Sequence, residues 1–207
     1  IPLSEEIEHI YPDYSLYPEQ TKDTAYGFLT RGCPRGCGFC HVAAKEGRCS
    51  IKVADVSDFW SGQKQIKVLD PNITACRDKR DLMRQYLDTG AEIDFTQGLD
   101  IRLIDDADIA DINATRIKNI HFAWDNPALD LRDRFKYYAQ SAKHKPHGSY
   151  GGVYVLTNYD RVSVEEHVER ALFRIYATAE LGYDPYLMLY DKTHAPAVLR
   201  RMQRWCN

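Results

Sequence analysis

Cys33, Cys37 and Cys40 stand in a CxxxCxxC spacing within the stretch Gly32-Cys33-Pro34-Arg35-Gly36-Cys37-Gly38-Phe39-Cys40-His41. Iron–sulfur clusters take cysteine thiolates as ligands, and short spacings let one loop wrap a cubane. Three thiolates can hold three irons of a four-iron cluster, which leaves the fourth iron open to bind and activate a small molecule. Gly32, Gly36 and Gly38 permit tight turning and let backbone N–H groups aim at anionic sulfur. Pro34 stiffens the turn, and Phe39 places an apolar group where it would limit solvent access. Two other chemistries are open to the same residues. With His41 or Cys49 as a fourth ligand the loop would close a tetrahedral zinc site. With Cys49 completing a cluster it would carry electrons only.

Little else in the chain competes with this loop. Cys49, Cys76 and Cys206 show no second cluster spacing and read as buried, unreactive thiols. His41 reads as a loop residue. His9, His121, His144, His147, His167 and His194 form no HxH or HxxxH pair, so a mononuclear metal site elsewhere has no support.

Composition sets the frame for these residues. The chain has 207 residues, 44% hydrophobic and 28% charged, enough for a substantial core. A net charge of -3 argues against a coat for nucleic acid or for an anionic membrane. The basic clusters Arg77-Asp78-Lys79-Arg80, Lys143-His144-Lys145 and Arg200-Arg201 read as solvated faces. No apolar run approaches the ~20 residues of a membrane span. Ile1-Pro2-Leu3-Ser4-Glu5-Glu6 lacks the basic and apolar regions of a signal peptide. Cysteines gathered on a glycine-rich loop point to a reducing compartment, the cytoplasm by default.

The elements that must position the loop alternate along the chain. Residues 1–25 read as a polar, tyrosine-rich N-terminal extension, and residues 26–207 as the core domain. Strands are expected at 26–31, 65–69, 92–97, 118–124, 152–157 and 185–190. Helices are expected at 53–60, 78–89, 105–113, 129–142, 163–181 and 195–205. Gly90 should end the second helix, and Ser163 with Glu166 should open the longest one. Six strand–helix units predict an α/β fold with parallel strands, either a barrel-like wrap or an open doubly wound sheet. An eight-unit barrel needs about 250 residues, so an incomplete (β/α)6 TIM-like barrel fits better than a full one. Loops after the strands form the active face of such folds. The cysteine loop, Asp70-Pro71-Asn72, Asp100-Ile101-Arg102, Trp124-Asp125-Asn126 and Asn158 all fall there.

The loop resembles the signature of the radical S-adenosylmethionine (radical SAM) superfamily, CxxxCxΦC, with Phe39 as the aromatic before the last cysteine. The order of strand–helix units is similar to that superfamily's partial barrel over essentially the whole chain. The resemblance implies that Cys33, Cys37 and Cys40 hold a [4Fe-4S] cluster whose open iron is chelated by S-adenosylmethionine. It further implies reductive cleavage of that cofactor to methionine and a 5′-deoxyadenosyl radical, which takes hydrogen from a substrate. An external electron donor of flavodoxin or ferredoxin type would feed the cluster. Many members carry a Gly-Gly-Glu-like segment after the second strand; here Leu69-Asp70-Pro71-Asn72 departs from it. Asp70 or Asn72 offers an acceptor for the methionyl amine, or the segment is a plain turn. Asp100 suits ribose hydroxyls and Arg102 the methionyl carboxylate, with an ordinary salt bridge as the competing reading. An alternative reading has Gln97 and Gly98 shaping the cavity floor. Asn158 is a further cofactor candidate, and Trp124 is more often core than platform. The substrate is open: peptide, protein, RNA or a small molecule.

Overall fold

The computed structural model describes residues 4–145, 147–148 and 151–207; the first three residues of the N-terminal segment lie outside that set. The chain divides into two compact units, Ile1–Gln97 with Ala110–Lys118, and Gly98–Ile109 with Asn119–Asn207.

The first unit begins with α1 (Glu5–Glu8), a 3-10 turn at Tyr14–Leu16 and α2 (Pro18–Thr21). The tyrosine-rich segment is pinned by Tyr14, whose hydroxyl donates to the Phe59 carbonyl at 2.7 Å and accepts from the Tyr26 N–H at 2.9 Å. There follow β1 (Thr24–Gly27), β2 (Thr30–Arg31), α3 (Val42–Glu46), β3 (Ile51–Lys52), β4 (Gln65–Val68), α4 (Lys79–Thr89) and β5 (Glu92–Phe95). Next come α5 (Asp106–Ala114) and β6 (Ile117–Ile120), which straddle the division between the units. The second unit continues with β7 (Phe122–Ala123), α6 (Arg132–Ser141), β8 (Val153–Thr157), α7 (Val164–Glu180), β9 (Pro185–Leu189) and α8 (Ala197–Cys206).

Two sheets carry most of the strands, in the orders β1-β4-β5-β6 and β7-β8-β9. The pairs β1/β4, β4/β5, β7/β8 and β8/β9 are parallel. The fold is therefore α/β with parallel sheets, as the alternation predicts. Strand neighbours follow chain order in each sheet, the result of repeated crossovers in one direction. Among the described residues no sheet closes on itself.

Alternation along the strands decides what is buried. In β4, Ile66 and Val68 are buried while Gln65 and Lys67 are not, and Ile66 and Val68 belong to a core with Leu82, Met83 and Tyr86 of α4. Gly90 ends α4 in a left-handed conformation, with φ 65° and its N–H on the Leu87 carbonyl. In the second unit Val155 and Leu187 pack against Ala171 and Ile175 of α7 and Leu199 and Met202 of α8. Ser163 caps α7 by accepting from the Glu166 N–H at 3.2 Å.

Three expected elements take another form. The strand at 26–31 is two strands. β1 stops at Gly27, where a Cβ would lie 2.2 Å from the Phe59 ring, and β2 turns away to pair antiparallel with β3. The helix expected at 53–60 is one 3-10 turn at Val56–Asp58, closed by reciprocal bonds between Asp55 and Asp58. The strand at 118–124 is interrupted at His121, whose carbonyl accepts from the Leu99 N–H at 2.8 Å. β6 and β7 consequently enter different sheets.

Candidate cofactor site and its surroundings

The cysteine loop leaves β2 and returns through α3 to β3, so a two-residue antiparallel pair closes its base. Gly32 has φ +82°, and a Cβ there would lie 2.1 Å from the Cys49 carbonyl oxygen; only glycine fits. Glu46 latches this corner by accepting from the Gly32 N–H at 3.2 Å and from Arg31 at 3.0 Å. Arg31 in turn lies over the Phe28 ring, 3.7 Å from its centroid, and reaches Glu8 at 2.6 Å. The Cys33 N–H donates to the Gly47 carbonyl at 3.1 Å, and the Cys40 N–H to the Cys37 carbonyl at 3.0 Å. The second of these bonds folds Cys37-Gly38-Phe39-Cys40 into a tight turn. Phe39 is half-buried within it.

Asp70 and Asn72, both following β4, support the loop from behind. Asp70 is 2% exposed, and its carboxylate accepts from the N–H groups of Leu29 (3.1 Å) and Thr30 (2.6 Å), the Thr30 hydroxyl (2.6 Å) and the Tyr86 hydroxyl (2.9 Å). Burial pushes the Asp70 carboxyl above the ordinary range even though its bonds to Thr30, Tyr86 and Leu29 pull it down. The Asp70 oxygens are thus engaged by the chain's own donors. Asn72, also buried, donates from Nδ2 to Cys33 Sγ at 3.4 Å and accepts from the Thr74 hydroxyl at 2.8 Å.

All six cysteines are free thiols; Cys33 and Cys37 are half-buried and Cys40 exposed, and of the three expected to be buried only Cys76 is, Cys206 being half-buried and Cys49 exposed. Among the described residues no three His, Cys, Asp or Glu side chains are gathered as a ready metal-binding group. The donor chemistry of the loop nevertheless fits a [4Fe-4S] cluster. Three reduced thiols sit on one short loop, each at least partly accessible, and an amide N–H already addresses one sulfur.

Of the remaining candidates all but Gln97 belong to the second unit. Asp100 and Arg102 pair with each other: Arg102 Nε donates to Oδ1 at 2.6 Å and Nη2 to Oδ2 at 2.9 Å, a bidentate fork. Asn158, directly after β8, is held in the left-handed region with φ 65° and donates to the Asp191 carbonyl at 3.4 Å. Gly98 has φ +84° and packs on the His121 carbonyl, while Gln97, in the first unit, is exposed. Trp124 is core. It is buried, stacks on Phe135 at 5.8 Å and donates from Nε1 to the Leu129 carbonyl at 2.7 Å.

Two polar residues without an assigned role in the sequence meet beside Trp124. Arg174 is 2% exposed, and its Nη1 donates to the carbonyls of Trp124 (2.7 Å) and Asp125 (3.0 Å). Burial brings its pKa down to about 10. Asp125 accepts from the Leu156 N–H at 3.0 Å and is pushed up to about 6 by burial, against the pull of that bond, Arg174 and Arg102. The signal for Arg174 was its position: with His167, Ala171 and Thr178 it lies on the buried stripe of α7. Asp125 carried no such mark beyond following a strand.

Comparison with family models and with curated proteins finds no match for this chain. No helix among the described residues is long and apolar enough to cross a membrane.

Proposed function

We propose that this chain is a radical SAM enzyme in which Cys33, Cys37 and Cys40 hold a [4Fe-4S] cluster with one iron left for S-adenosylmethionine. The observation that carries the reading is the latched loop of three free thiols, with the Asn72 amide on the Cys33 sulfur. Chain-ordered parallel strands support the partial (β/α)6 TIM-like barrel that goes with it. When bound, the cluster and S-adenosylmethionine supply reductive carbon–sulfur cleavage and hence a 5′-deoxyadenosyl radical for hydrogen abstraction.

The chain's own residues orient and shield. Glu46 and Gly32 fix where the loop begins, and Asp70 holds the Leu29–Thr30 backbone that aims it. Asn72 steadies the Cys33 sulfur, and Phe39 limits water at the thiols. Arg102, oriented by Asp100, is the cation assigned to the methionyl carboxylate, and Asn158 is assigned a cofactor contact after β8. The substrate is a further molecule, and a flavodoxin- or ferredoxin-type protein in a reducing, cytoplasmic setting supplies the electron.

Anaerobic reconstitution with iron and sulfide, followed by dithionite and S-adenosylmethionine, tests the proposal. The expected products are 5′-deoxyadenosine and methionine from the intact chain, and neither from Cys33→Ala, Cys37→Ala or Cys40→Ala. A cysteine variant that kept a full cluster and still cleaved the cofactor would refute the ligand assignment.

A further inference from the structure

A cavity of about 620 Å³ opens at the N-terminal ends of β7, β8 and β9, wholly within the second unit. We propose that it binds a small organic cation, an ammonium or guanidinium carried on an apolar or aromatic stem. This assignment depends on neither the cluster nor S-adenosylmethionine.

The walls are aromatic by strand alternation. Val155 and Leu187 face the helices, so Tyr154, Tyr186 and Met188 project from the opposite side of the same strands. Tyr154 and Tyr186 are direct cross-strand partners, and their rings stand nearly perpendicular, 5.9 Å apart at 85°. His121 stacks flat on Tyr154, with centroids 5.0 Å apart and planes 6° from parallel. The Gly152 N–H donates to His121 Nδ1 at 3.2 Å and fixes the ring against the backbone entering β8. Tyr186 and Met188 are 46% and 40% exposed, so both side chains are accessible to a ligand from solvent.

The floor is backbone. A Cβ at Gly151 would lie 2.3 Å from the Ile120 carbonyl oxygen, and one at Gly152 would lie 3.0 Å from that of Asp184. The chain packs tightly beneath the cavity and places no side chain in it at these two positions. Charge selects the ligand. Among the described lining residues there is no Lys or Arg, and Asp184 supplies a carboxylate. Its oxygens meet His147 Nδ1 at 2.9 Å and the Gly148 N–H at 2.6 Å, and a carboxylate has about four acceptor sites. Aromatic faces with an acid at the rim attract cations, and the volume suits a small ligand. Among the described lining residues no Lys or Arg would meet an anion; His147, which bonds Asp184, lies outside that lining.

The chain's three methionines give a local readout, because Met83 and Met202 are buried and Met188 lies in the cavity. The full chain, labelled at its methionine methyls with carbon-13, is titrated with benzylammonium, benzyl alcohol and benzoate. Benzylammonium is expected to move the Met188 signal alone and to bind about threefold to tenfold more tightly than benzyl alcohol. Benzoate is expected to bind weakest. Asp184→Asn should remove the preference for the cation and leave benzyl alcohol affinity unchanged. Tyr186→Leu should weaken benzylammonium more than the alcohol. Equal affinity for ammonium and alcohol, tightest binding of benzoate, or no movement of Met188 in the unsubstituted chain would each overturn the proposal.

Discussion

Around the cysteine loop acidic side chains hold backbone: buried Asp70 takes the N–H groups of Leu29 and Thr30, and half-buried Glu46 that of Gly32. Around Trp124 the buried polar side chain is a cation, and Arg174 holds the carbonyls of Trp124 and Asp125. The first arrangement leaves its reactive groups, the thiols, at least partly accessible on a shaped turn. The second seals its polar groups beneath rings, with Phe122, Trp124, Phe135, Tyr138 and Tyr183 all buried. Anionic acceptors fix the turn that carries the thiols, whereas a buried cation holds the carbonyls at the end of a strand. The two regions should therefore fail differently when disturbed.

The largest effect on stability is expected in the aromatic region. Phe135→Ala removes a ring touching Phe122, Trp124 and Tyr183 and should cost about 3–5 kcal/mol, read by urea denaturation. Asp70→Ala strands two backbone N–H groups and the Tyr86 hydroxyl, at about 3 kcal/mol. It should also speed amide hydrogen exchange at Leu29 and Thr30; unchanged exchange there would show that Asp70 does not hold the turn.

Further effects sharpen the contrast. Asp125 has a folded-state pKa near 6, above its unfolded value, so the folded chain binds the extra proton. Its ionisation therefore costs nothing below the unfolded value, weakens the fold as pH rises from about 4 to about 6, and costs no more above that. Asp125→Asn should match the parent near pH 3 and be more stable by about 3 kcal/mol at pH 7. Denaturation at the two pH values checks the sign. Asn72→Leu should cost about 1 kcal/mol and make the potential of a reconstituted cluster more negative, since hydrogen bonds to sulfur favour the reduced state. A dye-linked redox titration reads that shift.

Much of this was legible in the sequence where the deciding interactions are local. Gly90 and Ser163 punctuate α4 and α7 at the expected places, and β4, β5, β8 and β9 follow the expected runs to within a residue or two. The break between β1 and β2 was not legible, because its cause is a carboxylate 40 residues away that takes the Thr30 N–H. The same holds at His121, where Leu99 claims the carbonyl. Of the candidate site, the cysteine spacing was visible, but spacing carries no information about the Asn72 contact or the mutual pairing of Asp100 and Arg102. Trp124 shows the limit of residue type alone: its core role is fixed by the Leu129 carbonyl and the Phe135 ring.

The most direct test of the open iron is electron paramagnetic resonance of the reconstituted, reduced chain before and after S-adenosylmethionine is added. The account predicts about four irons per chain and a cluster signal that changes when the cofactor binds. One zinc per chain, or a cluster signal indifferent to the cofactor, would contradict it.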